Sequence, residues 1–184
     1  MWWITAGVLP LALSLPTAEV RQVDVRRDGN LYQLHVVARI GGSPSAVWRL
    51  LTDFQHLERI HHSVRDSTYL GHTPEGGNRV RIRMHPCVMF FCVDFTQVLE
   101  FHAVDERQLL ADFDQRDSDF HFGQLKWRLA RSRNVGTDLV FDADLEPAFW
   151  VPPLLGSWVL KRVLRKTATD IVMNLDRLSR PPLP

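Results

Sequence analysis

The chain of 184 residues carries 22 Lys and Arg against 21 Asp and Glu, a net charge of +1, with 45% hydrophobic and 23% charged residues. That length and composition describe one globular domain able to bury its own core. They exclude a whole-molecule electrostatic pull towards nucleic acid or an acidic substrate, and no internal repeat points to a solenoid.

The first 18 residues, MWWITAGVLPLALSLPTA, carry no charge and end in Pro16-Thr17-Ala18. They read as a secretory signal peptide cleaved after Ala18, although the leading segment lacks Lys or Arg and Pro16 is a poor residue so near the cut. A retained anchor is the alternative, and Pro10 and Pro16 argue against a spanning helix. The folded domain is then 19–180, with 181–184 a tail. Export to a periplasmic or extracellular setting would place the domain where a disulfide can persist.

In LYQLHVVARI, Tyr32, Leu34, Val36, Ala38 and Ile40 alternate on one face of a half-buried strand. Ser43 then offers an N-cap, Pro44 suits the first helical position, and Val47, Leu50 and Leu51 recur at helical spacing. A second short helix is predicted over 54–60. Strands follow over 64–71, in RVRIRMH, in VDFTQVLEF, in LLADF, in GQLKWRLA (Leu125, Trp127 and Leu129 inward) and in DLVFDADLEP (Leu139, Phe141, Ala143 and Leu145 inward). Short connections between successive strands imply an antiparallel meander.

The two cysteines flank an apolar run in HPCVMFFCVDF. As one straight strand, Cys87 and Cys92 would stand about 17 Å apart, too far for a crosslink. The inward set is even-numbered before them (Val80, Ile82, Met84) and odd-numbered after them (Val93, Phe95, Leu99). A hairpin with Cys87 opposite Cys92 accounts for that switch, and so would a bulge. We therefore expect a hairpin closed by a Cys87–Cys92 disulfide, with Val88, Met89, Phe90 and Phe91 at its tip. Such a tip would serve as a cavity rim or a docking prong, or pack on a neighbouring loop.

From residue 153 to 178, Leu155, Trp158, Val159, Val163, Ala168, Ile171, Val172, Leu175 and Leu178 form one face of a long helix. That stripe must be buried against the concave face of the sheet. The fold class is α+β of the helix-grip kind: a curved antiparallel sheet around a long C-terminal helix, with two short helices after the first strand.

The segments SPSAVWRLLTDFQHLERIHHSV, GQLKWRLARSRNVGTDLVFDADLEP and NLDRLSR, with Pro44, Trp48, Asp53-Phe54, Trp127, Gly136-Thr137 and the Pro-rich approach to the last helix, carry a resemblance. Over 31–179 the chain resembles the SRPBCC superfamily, within it the START-type polyketide cyclase/dehydrase and coenzyme Q-binding group. The resemblance implies a hydrophobic cavity between sheet and helix, and candidate lining residues are Tyr32, Phe95, Phe101, Phe113, Trp127, Phe141, Trp158 and Ile171. Members of the group bind lipids, quinones, sterols or polyketides, and only some are enzymes.

Other chemistries find less support. His56, His61, His62, His72 and His85 lack zinc spacing and read as surface residues, so no metal and no cofactor is expected. Asp112, Asp114, Asp117 and Asp119 lack the glycine and closing Glu of a calcium loop. By parity Asp94 and His102 point away from the cavity and only Gln97 faces it, so no catalytic residue is assigned. Lys161, Arg162, Arg165 and Lys166 share a helix side, a solvated face or a peripheral contact with anionic lipid alongside the 88–91 tip. The sequence thus predicts binding or carriage of a lipid, sterol-like or quinone-like molecule without catalysis. Its alternatives are a polyketide cyclase/dehydrase and a protein-binding module with a collapsed cavity.

Overall fold

In a computed structural model, which describes residues 18–88, 91–133, 135–149 and 157–180, a hairpin opens the chain. It pairs β1 (Glu19–Asp28) with β2 (Leu31–Ile40). After α1 (Pro44–Leu51) come β3 (Val64–His72), β4 (Asn78–Met84), and the short β5 (Cys87–Val88) and β6 (Phe91–Cys92). β7 (Phe95–Asp105), β8 (Gln108–Phe113), β9 (Phe120–Arg131), β10 (Thr137–Pro147) and α2 (Ser157–Ser179) complete the fold. Residues 1–17 and 181–184 lie outside the described residues, and with them nearly all of the expected signal peptide and the tail.

Eight strands form one antiparallel sheet in the order β1-β2-β10-β9-β8-β7-β4-β3. Inward alternation explains it: Val36, Ala38 and Ile40 from β2, Val80 and Ile82 from β4, Leu99 and Phe101 from β7, and Leu139 from β10 are all buried. α2 crosses this face, packing on β1, β2 and α1, with Val172 and Leu175 each 1% exposed.

Two differences from the sequence reading stand out. β1 precedes the strand taken as first. Its outer face is solvent-exposed, only Val25 is buried, and a register shift between Val20 and Gln22 breaks the alternation. The second short helix contracts to one 3-10 turn, Leu57–Arg59, which suffices to turn Leu57 and Ile60 into the core. α1 itself starts as expected, the Ser43 hydroxyl accepting the Ala46 N–H and Pro44 following the cap.

The C-terminal end of α2 is fastened to the loop between β2 and α1. The Gly41 N–H donates to Asp176 Oδ1 at 2.6 Å, and Asp176 also meets Arg180 at 2.7 Å. A Cβ on Gly42 would fall 1.9 Å from the Ser179 hydroxyl oxygen, so glycine lets the helix end sit directly on the loop. The turn between β9 and β10 joins the same junction. Thr137, fully buried, donates its hydroxyl to the Gly42 carbonyl at 2.8 Å, and Gly136, at φ 98°, brings the chain onto the Ile40 carbonyl. The Asn174 side-chain amide adds a bond to the Ile60 carbonyl at 3.1 Å.

β4 and β7 extend beyond the sheet as the hairpin expected from parity. The register that pairs Met84 with Phe95 continues to pair Cys87 with Cys92 and Val88 with Phe91. The Cys87 and Cys92 Cα atoms are 4.0 Å apart and the sulfurs are within disulfide distance. Met89 and Phe90, and the side chains of Val88 and Phe91, lie outside the described residues.

Candidate functional site

Between the concave face of the sheet and α2 lies a cavity of about 290 Å³. The sheet contributes Ile82 and Met84 from β4, Phe101 from β7, Leu125 and Trp127 from β9, and Leu139, Phe141, Ala143 and Leu145 from β10. α2 contributes Leu164, Ala168, Ile171, Val172 and Leu175, the last four at the i, i+3, i+4, i+7 spacing that defines one helix face. Leu51, Leu57 and Ile60 close it from the side of α1 and the 3-10 turn. The floor is an aromatic row: Trp127 lies 6.0 Å from Phe101 and 5.1 Å from Phe141 between ring centroids, and Phe54 covers Phe101 at 4.7 Å.

Of the expected lining residues, the structure gathers Phe101, Trp127, Phe141 and Ile171 around this cavity. Tyr32, Phe95 and Phe113 are inward-facing but lie elsewhere. Phe95 and Phe113 join Phe120 and Phe149 in a separate aromatic cluster, with centroids 4.9 to 5.7 Å apart. Phe113 packs so closely on Gly123 that a Cβ there would lie 2.4 Å from its ring. Tyr32 stands at the start of β2 with the Arg27 guanidinium 5.1 Å from its ring centre. Inward direction alone did not separate cavity from core, because both ends of each strand share it. The Trp158 side chain lies outside the described residues.

Among the described residues Gln97, Thr167 and His61 bring polar side chains to the cavity, beside the indole of Trp127. Gln97 was expected. His61 corrects the surface reading of the histidines, since it is only 4% exposed. Its Nδ1 accepts the Ser63 N–H at 3.1 Å, and its Nε2 is buried without a hydrogen-bond partner among the described residues. Burial first, and then the neighbouring His62, hold its pKa below the ordinary 6.5. No local spacing marks it: Leu57 and Ile60 share a face as i and i+3 of the 3-10 turn, and His61 stands one residue beyond that pair.

His61, His62 and Asp170 bring nitrogen and carboxylate atoms within 4.8 Å of one another, a grouping not expected from sequence. Asp170 meets Lys166 at 2.6 Å and His61 Nδ1 accepts the Ser63 N–H, while His61 Nε2 remains without a partner among the described residues. A second grouping, His85 with Cys87 and Cys92, has its sulfurs at disulfide distance from each other.

The aspartates of the β8–β9 connection are structural. Asp114 and Asp117 both accept from Arg79, Asp119 accepts the Thr96 N–H at 2.7 Å, and Asp112 accepts from Gln124 at 2.9 Å. The Arg116 N–H, followed by Arg79, holds the Asp114 carboxyl below its ordinary pKa. Asp94 is exposed and bonded to His85, and His102 meets Glu100 at 3.2 Å; neither lines the cavity. On α2, Arg162, Arg165 and Lys166 are exposed as expected, and the Lys161 side chain lies outside the described residues.

The family described as polyketide cyclase / dehydrase and lipid transport matches residues 40–172. No curated protein matches the sequence significantly. Among solved structures, a START superfamily protein from Mycobacterium smegmatis superposes with a TM-score of 0.63 at 14% identity, over 80% of this chain and 96% of that one. The STAR-related lipid transfer protein fragment from Xanthomonas axonopodis gives 0.64 at 14% identity, over 87% and 99%. The Zhui aromatase/cyclase from Streptomyces sp. R1128 gives 0.60 at 14% identity, over 82% and 94%. At these identities the likeness is one of fold, and it spans a lipid transfer protein and a cyclase alike.

Proposed function

Because the chain belongs to the polyketide cyclase/dehydrase and lipid transport family, we propose that it binds and carries a hydrophobic small molecule under α2 without transforming it. The observation that carries this reading is the cavity wall. Among the described residues it is apolar but for Gln97, Thr167, His61 and the indole N–H of Trp127, and no carboxylate contributes to it. A concave, largely apolar site with few polar groups suits ligand burial. At about 290 Å³ it favours a compact molecule over a long two-chain lipid.

Organic extraction of protein purified from its native host, followed by mass spectrometry, is expected to release one hydrophobic compound at near-stoichiometric yield. A ligand-free extract from protein that also takes up no compound from a native lipid extract would overturn the proposal. Trp127→Ala is expected to weaken uptake about fivefold and to cost roughly 2 kcal/mol of stability, since the ring is both floor and packing partner. A folded variant with unchanged uptake would put the ligand elsewhere.

His61 favours a second reading, a cyclase or dehydrase in which this imidazole moves protons at a polyketide-like substrate. Conversion of an added poly-β-ketone chain would establish it in place of carriage. The charge-free segment 1–18 and the exposed Cys87–Cys92 pair support export. Residues 1–18 fused to a reporter are expected to carry it out of the cytoplasm, and a reporter retained there would remove that part of the proposal.

A further inference from the structure

A buried donor without an acceptor is unusual in a native protein, and a bound molecule is one thing that would satisfy it. His61 is such a group. With Nδ1 accepting the Ser63 N–H, the proton of the neutral ring sits on Nε2, and that nitrogen is buried with no partner among the described residues. The residue is 4% exposed and lines the cavity. Its neighbours do not satisfy it: His62 packs against the ring with centroids 4.2 Å apart and planes tilted by 36°, and Asp170 is held by Lys166.

We infer that His61 Nε2–H is the donor that fixes the polar end of the ligand, and that the ligand class is an uncharged hydrophobe bearing a carbonyl oxygen. This rests on the carriage reading above and sharpens it. An N–H calls for an acceptor, and a carbonyl supplies one without bringing a hydrogen that Gln97 or Thr167 would then have to accept. A carboxylate would need a cation. Among the described lining residues there is no Lys or Arg, and Lys166 points to solvent with its charge spent on Asp170. Burial keeps the imidazole itself neutral, because its pKa lies below 6.5. A charged head would therefore be desolvated without compensation.

Three naphthalenes of one shape test this on the full-length protein: 2-acetylnaphthalene, its oxygen-free isostere 2-isopropylnaphthalene, and 2-naphthoate. Affinities are read from quenching of tryptophan fluorescence. The ketone is expected to bind about tenfold more tightly than the isostere, and that ratio needs no variant. His61→Phe is expected to bring the ratio to about one while leaving the isostere bound. His61→Gln, which keeps an N–H, should restore most of the preference. Equal binding of ketone and isostere to the unaltered protein overturns the inference and leaves carriage standing. Tightest binding of naphthoate overturns it too, in favour of an anion site. Binding of none of the three removes the cavity reading itself, and this inference with it.

Discussion

Asp176→Ala is expected to destabilise the protein by roughly 3 kcal/mol, seen as a lower urea midpoint at unchanged slope. Asp176 is 7% exposed on the last turn of α2. One oxygen accepts the Gly41 N–H at 2.6 Å and the other meets Arg180 at 2.7 Å. Removing the carboxylate strips a part-buried amide of its acceptor and withdraws the ion pair from a poorly solvated guanidinium, 27% exposed. Asp176→Asn keeps an acceptor for Gly41 and loses only the charge, so about half the effect is expected. An alanine variant within about 0.5 kcal/mol of the unaltered protein would mean that the helix end is held by packing alone.

The second large effect is on binding. Ala143 is 3% exposed in β10, flanked by Leu34 of β2 and Leu125 of β9, and it lines the cavity. Ala143→Trp projects an indole into space otherwise left for ligand. Uptake of 2-isopropylnaphthalene is expected to fall at least a hundredfold, with folding preserved by circular dichroism, because the new side chain fills a void instead of displacing a neighbour. Unchanged uptake by a folded Ala143→Trp protein would show that the ligand does not lie on this face. A variant that fails to fold would show the space to be too small for an indole, and thus for the proposed ligand.

Much of this architecture could be read from the sequence because its strands alternate cleanly. Val80-Arg81-Ile82-Arg83 and Leu139 to Leu145 declare their inward faces without tertiary information, and so does the helix face ending in Val172 and Leu175. The cysteine hairpin was legible for the same reason, since pairing across a turn switches the parity of the inward set. β1 was not, because an edge strand with one face in water and a register break at Val20 has little apolar period to show. Within the site, Phe101, Trp127 and Phe141 share strand direction with Phe95 and Phe113. What separates the two groups is position along a twisted sheet, which a period of two does not encode. His61 was missed for a different reason. Its burial is fixed by a single 3-10 turn and by the helix lying over it, and neither leaves a mark in local composition.

The strand order has a consequence for how the molecule comes into being. β2 finds its second neighbour only in β10, where Ile40 pairs with Thr137, so one of its edges stays open until nearly the whole chain has been synthesised. The walls of the cavity come from both sides of that seam: Leu34 and Val36 from the early strand, Leu139 to Leu145 from the late one, and α2 after both. Non-local pairing of this kind is slow to form, and the unpaired edge is a template for mispairing while it waits. The cavity is therefore among the last features the fold completes. A nascent or truncated chain ending before β10 would hold a hairpin and a meander but nothing to enclose a guest.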